Sequence, residues 1–73
     1  MIVVFSPHAD WRAAERGVDV RHVQETLLTN HAQRRRNPHH ADWLLQADGI
    51  AIAYNWPDGG DAAMALVISV WRE

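Results

Sequence analysis

The chain has 73 residues, no cysteine, a formal net charge of −2 and a pI near 6.2. That length fits one domain with a modest core, burying roughly 60 to 65% of the unfolded chain's surface. The missing thiols exclude disulfides, thiolate zinc sites and a cysteine nucleophile, and the negative total argues against a uniformly basic coat for nucleic acid. The charge is uneven, however. All seven basic residues are arginine, among them Arg12, Arg16, Arg34, Arg35 and Arg36, while Asp42, Asp48, Asp58 and Asp61 fall in the second half.

Met1 to Phe5 is an apolar run with β-branched Ile2, Val3 and Val4, which suits a first strand or a leader laid on the core. It is too short for a signal peptide and lacks a basic start, and no apolar run nears the roughly 18 residues of a membrane span, so a soluble, cytoplasmic protein is expected. Ser6 and Pro7 start a helix expected over His8 to Arg16. The serine hydroxyl accepts an orphan N–H, and proline at the first position forgoes no needed donor. Gly17 stops it. His8, Arg12 and Arg16 share one face, with Ala9, Ala13 and Ala14 offering small side chains for close packing. That face has two readings: solvated or carboxylate-paired arginines beside a first-turn histidine, or an anion site in which His8 moves a proton and the arginines grip phosphate.

Asp19 caps a second helix, with Val18 and Val23 placed as a hydrophobic staple and Val20, Val23, Leu27 and Leu28 at helical spacing up to Asn30. The tight link at Gly17 to Asp19 predicts that the two helices lie against each other as a hairpin. His31 to Arg36 has no apolar period and suits an edge strand. Arg34 and Arg36 then leave one face and Arg35 the other, as a charged edge that resists strand addition or as a phosphate-binding stripe. Asn37-Pro38 reads as a turn or strand end.

Asp42 to Ala47, Asp48-Gly49 and Ile50 to Trp56 form the clearest hairpin, because Asp-Gly is favoured where both turn residues need positive φ. Ile50, Ile52, Tyr54 and Trp56 alternate with Ala51, Ala53 and Asn55, so the small-residue face is expected to admit helix backbones. Trp56 to Asp61 is a loop, and Ala62 to Trp71 a long apolar strand that belongs in the sheet's interior.

Other motifs fall away. Five histidines show neither H-x-x-x-H nor H-x-H spacing, so no metal is expected; His39 and His40 are adjacent and point apart on extended chain. Ser6 and Ser69 are the only serines and neither occupies a nucleophile elbow. The acidic residues fall mostly in turns and caps, not on facing elements as glycoside chemistry needs, and the glycines lack the spacing of a nucleotide-binding loop.

The stretch SPHADWRAAERGVDVRHVQETL, Ser6 to Leu27, resembles the bacterial family known as domain of unknown function 4258. Its pattern is S-x-H-A, an arginine four residues after the histidine, then E-R-G-[IV] and a second helix; Ser6, His8, Ala9, Arg12, Glu15, Arg16, Gly17 and Val18 match. The rest of the chain, with its hairpin and final I-S-V-W strand, is similar in layout. The element order itself predicts an α+β fold, a helical hairpin on an antiparallel sheet of three or four strands, and the resemblance implies a fold similar to the RelE/ParE toxin superfamily, two helices on a curved antiparallel sheet, which agrees with that order. Some members of that superfamily cleave RNA without metal.

It also implies roles. His8 serves as acid or base and Arg12 holds charge at the scissile phosphate, with Arg16, Arg34 or Arg36 binding RNA and Tyr54 or a tryptophan stacking a base. The leading expectation is therefore a toxin-like RNA-cleaving or RNA-binding protein without cofactor or metal, with an antitoxin-like partner possible. The competing expectation is a non-enzymatic interaction module, anchored by Trp11, Trp43 or Trp56 or binding its own copy, or a degenerate toxin relative.

Overall fold

Side-chain capping fixes both helix starts. The Ser6 hydroxyl accepts the Ala9 N–H at 3.0 Å and Asp19 accepts the Arg21 N–H at 2.9 Å, each satisfying one donor that the first turn orphans. The computed structural model describes residues 2–37, 41–56 and 64–73. In chain order these form β1 (Ile2–Phe5), α1 (Pro7–Glu15), α2 (Val20–Asn30), a 3-10 turn (His31–Gln33), β2 (Arg35–Arg36), β3 (Trp43–Ala47), β4 (Ile50–Asn55) and β5 (Met64–Arg72). The expected turn at Asn37-Pro38, the His39-His40 pair and the loop after Trp56 fall partly or wholly outside the described residues.

Gly17 follows α1 with φ 65, the left-handed conformation that ends a helix, and the Val18 N–H closes the turn onto the Ala13 carbonyl at 2.8 Å. Asp48 and Gly49 have φ 53 and 81, so the β3–β4 connection is the primed turn that Asp-Gly favours.

The sheet is mixed and has five strands in the order β1-β5-β4-β3-β2. This corrects the three- or four-stranded antiparallel expectation at both edges. β1 joins as a strand parallel to β5, with Ile2 beside Met64 and Phe5 beside Val67, and Arg35–Arg36 adds a two-residue antiparallel strand along Trp43 and Leu44. An irregularity at Ala53/Tyr54 leaves Ile68 unmatched on β5, so Val67 and Val70 both reach the helix-bearing face.

Both helices cover one face. α1 packs chiefly on β5 and also on β1, and α2 on β3; each helix rests mainly on the sheet, where the short linker had suggested a hairpin packed on itself. Ala9 and Ala13 of α1 and Val23 and Leu27 of α2 meet Leu45, Ile52, Tyr54, Val67 and Val70. The helices therefore lie on the large-residue face of β4, the reverse of the sequence expectation. Close approach comes from the alanines of α1, so the strand has no need to supply the small surface.

Alternation places Ile2, Val4, Leu44, Ala51, Ala53, Met64, Leu66 and Trp71 on the opposite face. Among the described residues no helix covers it, and Ile2 and Met64 are 60% and 51% exposed.

Candidate functional site

The first half of the expected site lies on α1. His8 is exposed, and its Nε2 accepts from the Arg12 Nε at 3.5 Å. Arg12 also makes an ion pair with Glu15 at 2.9 Å and lies 5.0 Å from the Trp11 ring. Arg16 is committed elsewhere, since its guanidinium donates to the Val70 carbonyl at 3.0 Å. Arg72 returns the tie by donating to the Arg16 and Gly17 carbonyls at 3.1 and 2.7 Å. Arg16 thus clamps the C-terminal end of α1 to β5 through one nitrogen of its guanidinium.

The second half lies at the opposite edge. The Arg34 N–H and guanidinium both return to the His31 carbonyl, at 3.2 and 2.9 Å, so the 3-10 turn aims the side chain back over the sheet. Its guanidinium carbon stands 4.4 Å from the Trp43 ring and 4.4 Å from that of Trp56, while that of Arg36 stands 4.2 Å from Trp43. These distances fall well inside the range of cation–π attraction, and the flat guanidinium suits such contacts better than an ammonium. His31 meets Trp56 edge-on at 5.3 Å, and the Trp43 indole N–H donates to the Trp56 carbonyl at 3.3 Å. Arg35, on the other face, bonds Gln46. Strand alternation separates Arg36 from Arg35 as expected, but His31–Gln33 forms a 3-10 turn where an edge strand was expected, so Arg34 lies before the strand and reaches the Trp43 face through that turn.

Tyr54 pairs across the strands with Trp43 and is fully buried. Its ring has no open face for a base, so it supports the cluster from beneath; Trp43 is nearly as buried, which removes it as an exposed anchor. Burial pushes the Tyr54 hydroxyl up to about 12, against the opposing pull of the Arg34 charge. Among the described residues the buried Tyr54 hydroxyl, Arg34 Nε and His31 Nδ1 meet no hydrogen-bond partner.

The sheet does not bring the two halves together. α1 lies over β5 and β1, and β2 is three strand spacings beyond β5, about 14 Å in backbone terms. Arg34 and Arg36 converge with Trp43, Trp56 and Tyr54; His8 and Arg12 form a separate pair. Sequence reasoning missed His31 as a member of the edge cluster, although its position three residues before Arg34, a single turn, was a usable signal.

A cleft of about 400 Å³ opens where Gly17 to Asp19 face the β3–β4 turn. Its polar groups already serve the fold: His22 bonds the Asp48 carbonyl at 3.1 Å and Arg72 holds the end of α1. Among the described residues no group of three or more His, Asp or Glu could hold a metal ion, and no helix is long and apolar enough to cross a membrane.

Fold and site together define a small α+β protein with two helices on a mixed sheet and one arginine-bearing edge backed by tryptophan. No protein-family model, curated protein or solved structure matches the chain.

Proposed function

We propose that this chain is a toxin-like RNA-binding protein, similar to the RelE/ParE type, that grips single-stranded RNA along the β2 edge. The observation that carries this reading is the convergence of Arg34 and Arg36 on Trp43, with Trp56 closing over Arg34. Tryptophan faces hold these guanidinium groups in place, reducing the entropy lost when they meet phosphate, and Arg35 extends the stripe to the other face. A local stripe of this kind is compatible with a net charge of −2, because phosphate recognition depends on near charges within about a Debye length. An antitoxin-like protein is the corresponding partner.

RNA cleavage would add chemistry to this grip. It assigns proton transfer to His8 and charge stabilisation to Arg12, with neither metal nor cofactor, and it requires substrate to reach from the β2 edge to α1.

Fluorescence anisotropy with a labelled RNA of about 12 nucleotides tests the grip. The wild-type chain should bind, Arg35→Ala/Arg36→Ala should weaken binding at least about tenfold, and Arg12→Ala should not; equal binding by wild type and the edge variant would sink the assignment. Controlled induction in bacteria, with total RNA followed in time, tests cleavage. Growth arrest and RNA breakdown relieved by a folded His8→Ala would support it, while intact RNA at high wild-type expression counts against it.

The second reading, an interaction module without enzymatic activity, is favoured by the apolar outer face of the sheet, where Ile2, Val4 and Met64 are exposed.

A further inference from the structure

The two sheet edges differ in chemistry. β2 is two residues long and carries only arginine, whereas β1 is Ile2-Val3-Val4-Phe5, without charge, proline or bulge. A neutral apolar edge strand presents unpaired backbone groups to any strand able to complement them. Among the described residues nothing pairs with the outer side of β1.

The backbone specifies that complement. The Ser6 N–H donates to the Val67 carbonyl at 3.0 Å, so the even residues of β1 turn their N–H and C=O inward to β5. Those of Val3 and Phe5 face the open edge. We propose that β1 pairs with β1 of a second copy of this chain, antiparallel and centred on Val3, joining the two sheets into one.

In that register the two Val3 residues exchange both backbone bonds, and Ile2 of each copy lies opposite Val4 of the other in the closely spaced, non-hydrogen-bonded position. Ile2 and Val4, 60% and 36% exposed in the single chain, then cover one another on the outer face. A two-fold axis perpendicular to the sheet keeps both pairs of helices on one side, giving an isologous contact. Room exists for them: α1 packs mainly on β5, so the two α1 helices stand roughly three strand spacings apart, about 14 Å, beyond the 8 to 10 Å of direct helix contact. Charge favours this edge as well, because β1 meets β1 without repulsion, whereas two β2 edges would oppose Arg35 and Arg36 with their own copies. The contact is independent of the RNA reading, since it uses the other end of the sheet.

Sedimentation velocity on the full chain, from about 1 μM to about 1 mM, should show a reversible monomer–dimer equilibrium. Ile2→Glu and Val4→Arg should each weaken it at least about tenfold. Combining the two sets the new carboxylate of each copy opposite the new guanidinium of the other, so the double variant should recover most of the loss. Because Val4 is the less exposed of the two, circular dichroism checks folding, and a second measurement stands without that variant. The chain has no cysteine, so Ile2→Cys and Val4→Cys chains can be mixed under mild oxidation. Opposed residues with Cα atoms about 4.5 Å apart in this pairing lie within disulfide range, so the mixture should cross-link and neither chain alone should. A chain that stays monomeric at about 1 mM, or a dimer that neither charge substitution weakens and that cross-links no faster in the mixture, would overturn the proposal.

Discussion

Tyr54 sits where the sheet is most enclosed, and its protonation behaviour follows. Its folded value is raised to about 12 by burial, whereas the unfolded phenol titrates near 10. Below pH 10 both states keep the proton and stability is unaffected. Between pH 10 and 12 the unfolded chain loses its proton first, so stability should fall as pH rises through that window. Urea melts at pH 8, 10 and 11.5 should show the fall, and Tyr54→Phe should flatten it relative to the rest of the chain. A second residue-scale prediction concerns Ser6, whose hydroxyl caps α1. Ser6→Ala should cost about 1 kcal/mol of stability in the same melts, the ordinary cost of a lost N-cap.

At the scale of elements, the joint between α1 and β5 is held by arginines used as backbone donors. Arg16 reaches the Val70 carbonyl and Arg72 reaches back to Arg16 and Gly17. Because both span the same joint, Arg16→Ala and Arg72→Ala should be non-additive in a double-mutant cycle, with a coupling of about 0.5 to 1 kcal/mol. α2 depends on hydrophobic burial instead: Leu27 is fully buried, and Leu27→Ala should cost about 2 to 4 kcal/mol by melting. Helix boundaries, caps and the Asp-Gly turn were legible in the sequence because each depends on local chemistry. β1 parallel to β5 and the pairing of Arg35–Arg36 with β3 were not, since a strand's neighbours depend on groups far away in the chain. The facing of β4 was misread for a related reason. Alternating large and small residues show that a strand has two faces, but which face receives the helices depends on the alanines of α1.

For the whole molecule, the arrangement separates groups that the sequence had suggested would converge. His8, Arg12 and Arg16 share a helix face and matched one motif, yet Arg16 also ties α1 to β5 and the Arg34–Arg36 run stands beyond β3. The tryptophan backing of Arg34 and Arg36 was hidden because Trp43 and Trp56 approach only when β3 and β4 pair. The RNA reading carries a whole-molecule prediction. Binding should weaken with added salt, and removing Arg35 and Arg36 together should lower the slope of log affinity against log salt by about 1.4, at about 0.7 for each phosphate contact on a single strand. Titrations at three salt concentrations measure it, and an unchanged slope would place the contacts elsewhere.

The Asp48-Gly49 turn has a wider reach than its two residues suggest. The Asp48 carboxylate accepts from Thr26 and Asn30 at 3.4 Å each, its carbonyl meets His22 at 3.1 Å, and the Gly49 carbonyl takes the Glu73 N–H at 2.9 Å. One tight reversal therefore binds two stretches of chain remote from it in sequence, α2 and the end of β5. Its formation early in folding would shorten the search for α2 and for the end of β5 alike. Asp48→Asn would keep the backbone shape and one oxygen for Thr26 and Asn30 but remove the charge that strengthens both bonds, so a substitution that looks local should loosen the link to α2 while leaving the reversal itself intact.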